Sequence, residues 1–187
     1  LSSLVRTDPL TGLANYRYFC SALEQEMERT QRSGQPTTLI MLDIDHFKKV
    51  NDQWGHDVGN QALIHIAGLM RQTVRKLDMP CRYGGEEFSI ILPNTELAAS
   101  IPVAERLRRT IAESPLLVDD KPLYLTASLG IDSYLLGEDA ALNELVKRAD
   151  HYLYQAKQEG RNQVRHGSLP KVELVSREEK DALSNLF

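Results

Sequence analysis

The sequence predicts an α+β sandwich of the ferredoxin-like kind, a central, mostly antiparallel sheet surrounded by helices. Three observations lead there. Short apolar runs rich in β-branched residues alternate with stretches whose apolar residues recur at helical spacing. Two of those runs flank Gly84-Gly85, which is hairpin chemistry. The resulting order is helix, strand, helix, hairpin, helix, strand, helix, strand, without an internal repeat, so helices keep returning to an antiparallel sheet.

The elements follow in order. "DPLTGLANYRYF" carries turn signals at Asp8-Pro9 and Thr11-Gly12, and Asn15 caps a helix from about Tyr16 to Ser33. Its inner face is Phe19, Leu23 and Met27, and Gly34 and Pro36 end it. "TTLIMLDID", Thr37 to Asp45, reads as a buried strand. "NDQWGHDVG" is a loop or broken helix, followed by a helical stripe of Ala62, Leu63, Ile66, Leu69, Met70, Val74 and Leu77. "MPCRYGGEEFSIILP" gives the hairpin, with Pro80 suited to the edge or the start of its strand. A helix from Thr95 turns Leu97, Ile101, Ala104, Leu107 and Ile111 inward, with Pro102 marking a kink or a late start. "YLTASLGIDSY" is a strand. The last strong helix carries Leu142, Leu145, Val146, Ala149, Leu153 and Ala156, is stopped by Gly160, and leads to a short edge strand in "NQVRHG". Past Gly167 the chain turns polar, and Ser176 with Glu179 forms a capping box for a short appended helix. This divides the chain into residues 1–7, the end of a helical linker from an upstream domain, a domain over 8–166, and an extension over 167–187. The start at Leu1 rather than Met fits a piece of a longer protein.

Composition narrows the function. The chain has 187 residues, 42% hydrophobic and 26% charged, with a net charge of -4, a profile poorly suited to non-specific nucleic-acid binding. Two cysteines without C-x-x-C spacing argue against thiol redox chemistry and zinc, and read as thiols in a reducing cytoplasm. No apolar run approaches the roughly 20 residues of a membrane helix. The familiar phosphate-loop, dinucleotide, zincin and nucleophile-elbow motifs are absent.

The chemistry concentrates in carboxylates. Asp43 and Asp45 sit two apart at a strand end, so both point to one face if the strand continues that far. Glu86 and Glu87 open the second hairpin strand. If the two strands are neighbours, three or four carboxylates meet at one sheet end and must be neutralised. Hard divalent cations do this, and two of them about 4 Å apart suit in-line phosphoryl transfer. Gly84 and Gly85 let a ligand lie against bare backbone. Lys48, the amides of His46, Phe47 and Lys48, and the Lys157/Arg161 pair one helical turn apart supply phosphate donors.

"DPLTGLANYRYF", "LDIDHFKKVNDQWGHDVGN", "RYGGEEF", "SLGI" and "ADHYLYQAKQEGRNQV" together resemble the successive signatures of GGDEF-domain diguanylate cyclases, from about Thr7 to His166. The resemblance implies a cyclase-palm fold and condensation of two GTP into cyclic di-GMP with release of two pyrophosphates. Two such domains face each other as a homodimer, each holding one GTP. It implies magnesium (or manganese) on Asp43, the Ile44 carbonyl and Glu86. Glu86 or Glu87 helps deprotonate the attacking 3′-hydroxyl, and Lys48, Lys157 and Arg161 hold phosphates. Asn51 and Asn60 read the guanine, with His56 and Leu63 nearby. It further implies a cytoplasmic domain, tethered only through upstream segments, with no nucleic-acid or membrane contact of its own. Asn60 stands where aspartate is more frequent, and Tyr16 where arginine is common.

"RKLD" places Arg75 and Asp78 three residues apart, with Asp78 six before Gly84. This matches the family's R-x-x-D inhibitory site for cyclic di-GMP, and Arg106 matches a further arginine of it. The competing functions are an idle module that senses cyclic di-GMP or GTP, which has no need of an intact metal set, and an RNA-binding ferredoxin-like domain, for which the chain lacks a basic face.

Overall fold

The computed structural model describes residues 5–169 and 182–186. The capping-box helix at Ser176 and the first four residues of the linker lie outside the described residues; Val5, Arg6 and Thr7 are not helical, and Thr7 bridges Ala14.

Helix α1 (Tyr16–Ser33) is capped as the sequence implies: the Asn15 side chain accepts from the Tyr18 N–H, and Gly34 closes the other end at φ 79°. Strand β1 (Thr37–Ile44) is buried throughout and central. Helices α2 (Phe47–Trp54) and α3 (His56–Thr73) form one broken helix whose break is Gly55, at φ 90°. Strands β2 (Met79–Arg82) and β3 (Glu87–Leu92) are the glycine hairpin. Helix α4 (Leu97–Glu113), a small hairpin of β4 (Leu116–Val118) and β5 (Lys121–Leu123), strand β6 (Ala127–Tyr134), helix α5 (Leu142–Gln158) and strand β7 (Val164–His166) complete the order.

The five-stranded sheet runs β2-β3-β1-β6-β7, antiparallel except for β6 beside β7. Strand parity sorts the core into two layers. Ile40, Leu42 and Ile44 pack with Phe88, Ile90, Leu129 and Ile131 beneath α3 and α4. Leu39, Met41 and Ile91 pack on the other face with Phe19, Leu23, Leu145, Ala149 and Leu153 of α1 and α5. Gly130 lies on this second face, opposite Met41. A Cβ built there would overlap the Leu153 amide and the Ala149 carbonyl, so α5 rests directly on the backbone of β6.

Several boundaries differ from the sequence reading. The β1 ladder stops at Ile44, before Asp45. Helix α3 ends at Thr73, leaving Val74 extended and Leu77 78% exposed, off the stripe. Helix α4 begins at Leu97 rather than Thr95 and continues through Pro102, so Pro102 does not mark a late start; Ile101 is only half-buried. Strand β6 begins at Ala127 and leaves residues 124–126 outside the ladder, and residues 116–123 form the β4–β5 hairpin, which turns through Asp119 and Asp120, both at positive φ.

Pro80 occupies edge strand β2, as its missing N–H suggests. The outer side of β2 is covered: Cys81 bridges Ala14, whose carbonyl accepts from the Arg82 N–H at 2.9 Å. Among the described residues no helix is long and apolar enough to cross a membrane.

Candidate active site

Parity also places the carboxylates. Asp43 lies on the α5 side of the sheet and pairs across the ladder with Glu87. One step further the Ile44 N–H approaches the Glu86 carbonyl at 3.4 Å, which sets Glu86 beside the end of β1. Helix α5 packs over this corner and brings Asp150 and Lys157. Asp43 is 4% exposed. Its Oδ2 accepts from Lys157 Nζ, while its Oδ1 is buried without a hydrogen-bond partner.

Burial and crowding together raise the proton affinity of the group. Burial, then the charge of Asp43, pushes Glu86 above the ordinary carboxylate range, against the pull of Lys157. Glu87 is raised by burial, then by Asp150 and Asp43. Asp150 is raised by partial burial, ahead of the opposing charges of Lys157 and Asp43. The sign of the stability effect follows. A carboxylate whose folded pKa lies above its ordinary 4.5 favours the fold when protonated. That contribution is full below the unfolded value and is lost as pH rises through the folded one. Glu87→Gln is therefore expected to raise the melting temperature at neutral pH without divalent cations. The gain should fade on acidification towards about pH 4. Thermal scans at the two pH values check this, and a gain that persists in acid would contradict it.

Two adjoining cavities open at this corner. The first, about 400 Å³, is lined by Asp43, Ile44, His46, Phe47, Lys48, Glu86, Lys157 and Arg161, together with Asp45, Lys49 and Asp52. The second, about 540 Å³, is lined by Phe47, Lys48, Asn51, His56, Asn60, Leu63, Gly85 and Glu86, together with Arg82. Phe47, Lys48 and Glu86 wall both, so the two form one groove. At its centre is the N-terminus of α2. His46 precedes it at φ 55°, ψ 33° and makes no side-chain cap, and Phe47, Lys48 and Lys49 of the first turn line the groove. An αL residue followed by a helical turn is a backbone anion nest.

The second cavity is shaped by a close approach. A Cβ at Gly59 would occupy the space of the Asn51 carboxamide, so glycine there lets Asn51 lie against α3. The Gly55 N–H donates to the Asn51 carbonyl at 2.8 Å and fixes the elbow.

Nearly all sequence-predicted site residues thus meet, and the exceptions are specific. Gly84 and Glu87 are outside both cavity walls: the Gly84 N–H donates to the Glu87 carbonyl at 3.1 Å, and the Glu87 side chain belongs with Asp43 and Asp150. Asp45 does not join Asp43 as a ligand, because its oxygens are taken by Thr126, Ser128 and the Asn162 N–H. Arg82 was missed. It donates to Asp8 at 3.2 and 3.3 Å and to the Gly85 carbonyl at 2.9 and 3.2 Å, tying the first turn of the domain to the glycine hairpin. Its position just before "YGGEEF" was the available signal. Asp150 gave none beyond lying in "ADHYLYQAK".

Among the described residues no three His, Cys, Asp or Glu side chains form a ready-made metal cage. The orphaned Asp43 Oδ1 beside Glu86 and the Ile44 backbone is nonetheless a fitting partial set for a hard cation, since magnesium is typically held by one or two carboxylates plus substrate phosphate and water.

Away from the groove, Arg75 and Asp78 form a closed pair at the end of α3. The Arg75 N–H, Nε and Nη2 donate to the Asp78 carboxylate at 2.9, 3.2 and 3.0 Å. The Asp78 side chain is fully buried and that of Arg75 is 56% exposed. Arg106 reaches the same turn by donating to the Thr73 carbonyl at 2.7 Å.

Comparison with known proteins agrees with this geometry. The family model "Diguanylate cyclase, GGDEF domain" matches residues 5–163. The response regulator PleD of Caulobacter vibrioides is 44% identical over 163 residues, 86% of this chain and 36% of the relative. The diguanylate cyclase DgcP of Pseudomonas aeruginosa is 44% identical over 158 residues, 84% of this chain and 23% of the relative. The chain therefore spans about a third or less of these two relatives. Among solved structures, diguanylate cyclase SiaD in complex with its activator SiaC, from Pseudomonas aeruginosa, superposes with a TM-score of 0.84 at 42% identity, over 89% of this chain and 63% of that one. The GGDEF domain of DgcB from Caulobacter crescentus, in complex with c-di-GMP, gives 0.81 at 32% identity, over 86% and 92%. On fold, groove and sequence alike, the chain belongs to the GGDEF-domain diguanylate cyclase family.

Proposed function

We propose that this domain condenses two GTP molecules into cyclic di-GMP with release of two pyrophosphates. The observation that carries the proposal is the continuous groove in which an uncapped helix N-terminus, two lysines, an arginine and an unpaired aspartate oxygen converge on Glu86. The α2 amides, Lys48, Lys157 and Arg161 grip the triphosphate and offset the charge that develops on it. Asp43, the Ile44 carbonyl and Glu86 would hold a divalent cation, magnesium or manganese, which when bound would supply Lewis-acid polarisation of the phosphate. Glu86, whose proton affinity is raised, or Glu87 beside it accepts the proton of the attacking 3′-hydroxyl. Asn51 and Asn60, which line the second cavity, read the guanine, with His56 and Leu63 beside them in the same lining.

One groove holds one nucleotide, so the 3′-hydroxyl comes from GTP on a second copy of the chain. A cytoplasmic site for the reaction is part of this proposal, since GTP is its substrate. Incubation with GTP and magnesium should yield cyclic di-GMP at a rate that rises more than linearly with protein concentration. No product at any concentration would overturn the proposal.

Asn60 accepts from guanine N1–H and donates to O6, where an aspartate would accept from N1–H and N2–H. Asn60→Asp is expected to change the Michaelis constant for GTP by up to roughly 1–3 kcal/mol and the maximal rate less. A change in maximal rate alone would remove position 60 from the base-reading wall.

Arg75, Asp78 and Arg106 form the proposed inhibitory site for cyclic di-GMP. The arginine forks suit phosphate or the guanine O6/N7 edge. Because Asp78 is buried under Arg75, the product must open that pair before the carboxylate can take guanine N–H groups. Arg75→Ala should raise product yield at long times with little change in initial rate. Unchanged calorimetric binding of cyclic di-GMP in this variant would rule the site out.

A further inference from the structure

We infer that Asp45 is a positioning residue, which sets Arg161 by holding the backbone of the loop after α5. This rests on the phosphate-binding role given above to Arg161. Asp45 is 7% exposed. Its Oδ1 accepts from Ser128 Oγ at 2.6 Å, and its Oδ2 from Thr126 Oγ1 at 2.8 Å. Its own N–H donates to the Thr126 carbonyl at 2.9 Å. These bonds fasten the carboxylate to the start of β6. Its remaining bond reaches a different element, the Asn162 N–H, at 3.0 Å.

That loop needs an anchor. Arg161 and Asn162 lie consecutively in the left-handed region, at φ 62° and 46°, a strained arrangement for residues with side chains. Such a conformation persists only where its surroundings over-determine it. Here the Arg161 N–H donates to the Ala156 carbonyl at 2.9 Å, Arg108 donates to the Asn162 side chain at 3.0 Å, and the buried Asp45 carboxylate takes the Asn162 N–H. The bonds from Arg108 and to Asp45 are both charge-assisted, but only the one to Asp45 holds the backbone and is made by a buried side chain. It fixes the peptide that follows Arg161, and so the direction in which the guanidinium enters the groove it shares with Lys48 and Lys157. Asp43 and Asp45 thus divide the labour of one strand end: the first leaves an oxygen without a hydrogen-bond partner, and both oxygens of the second are engaged.

The test is a double-mutant cycle read by equilibrium binding of guanosine 5′-(α,β-methylene)triphosphate with magnesium. Asp45→Asn puts an amide where only an acceptor fits. It is expected to raise Kd about tenfold in the wild type and again about tenfold in a Lys48→Ala background, but no more than about twofold in an Arg161→Ala background. A purely structural role predicts equal losses in both backgrounds, and that result, or an unchanged Kd with a lowered melting temperature, overturns the inference. Should Asp45→Asn fail to fold, hydrogen exchange on the wild type decides. The Asn162 amide should be protected like those of the sheet, and exchange at the rate of an open loop would overturn the assignment. Absence of analogue binding by the wild type would instead sink the phosphate-site reading itself.

Discussion

Glu86→Gln should reduce cyclic di-GMP synthesis by at least about 10²–10³-fold while leaving the fold intact. The substitution keeps the shape of the side chain but removes its charge, at the one carboxylate that walls both cavities. It takes away both the proposed cation ligand and the proposed proton acceptor. Stability should be unchanged or slightly improved, because the charge being removed is crowded by Asp43 and Glu87. Chromatographic detection of product from GTP, alongside a thermal scan, measures both halves. Near-normal turnover would place the chemistry elsewhere.

Gly130→Ala should be the most destabilising of these substitutions. The added methyl has nowhere to go but into the backbone of α5, at the Ala149 carbonyl and the Leu153 amide, and backbone cannot rotate aside as a side chain would. The expected cost is about 3 kcal/mol, the upper end for overpacking. In a domain of this size that is roughly 6–12 °C of melting temperature. Residual folded protein should also lose activity, since any outward shift of α5 draws Lys157 from Asp43. A stable and active Gly130→Ala protein would mean that α5 can slide on the sheet without disturbing the groove.

What was legible in the sequence and what was not follows from the range of the forces involved. The caps of α1, the buried β1 and the glycine hairpin are local events, written in consecutive residues, and they stand where expected. The β4–β5 hairpin was missed because each strand has only three residues and its turn uses two aspartates at positive φ instead of a glycine. The carboxylate corner was legible because its members sit at the ends of two short apolar strands, β1 and β3, which pair directly in the sheet. Asp45 misled for a related reason: alternation predicts a shared face only while the ladder continues, and the ladder ends one residue earlier. Asp150 reads as an ordinary solvent-side residue of a helix. Only the packing of α5 across β1 brings it to Glu87, and no spacing in the chain encodes that.

The covered edge of β2 bears on how such a domain survives its own way of working. If catalysis needs two copies to meet, the copies must also part, and an open strand edge on either would turn a brief collision into lasting association. Here Ala14 and Pro80 close one margin of the sheet, and the other is the three-residue β7. Short or blocked margins are how β proteins avoid clumping. A sheet with such margins offers little for strand-to-strand association when two copies are brought close together.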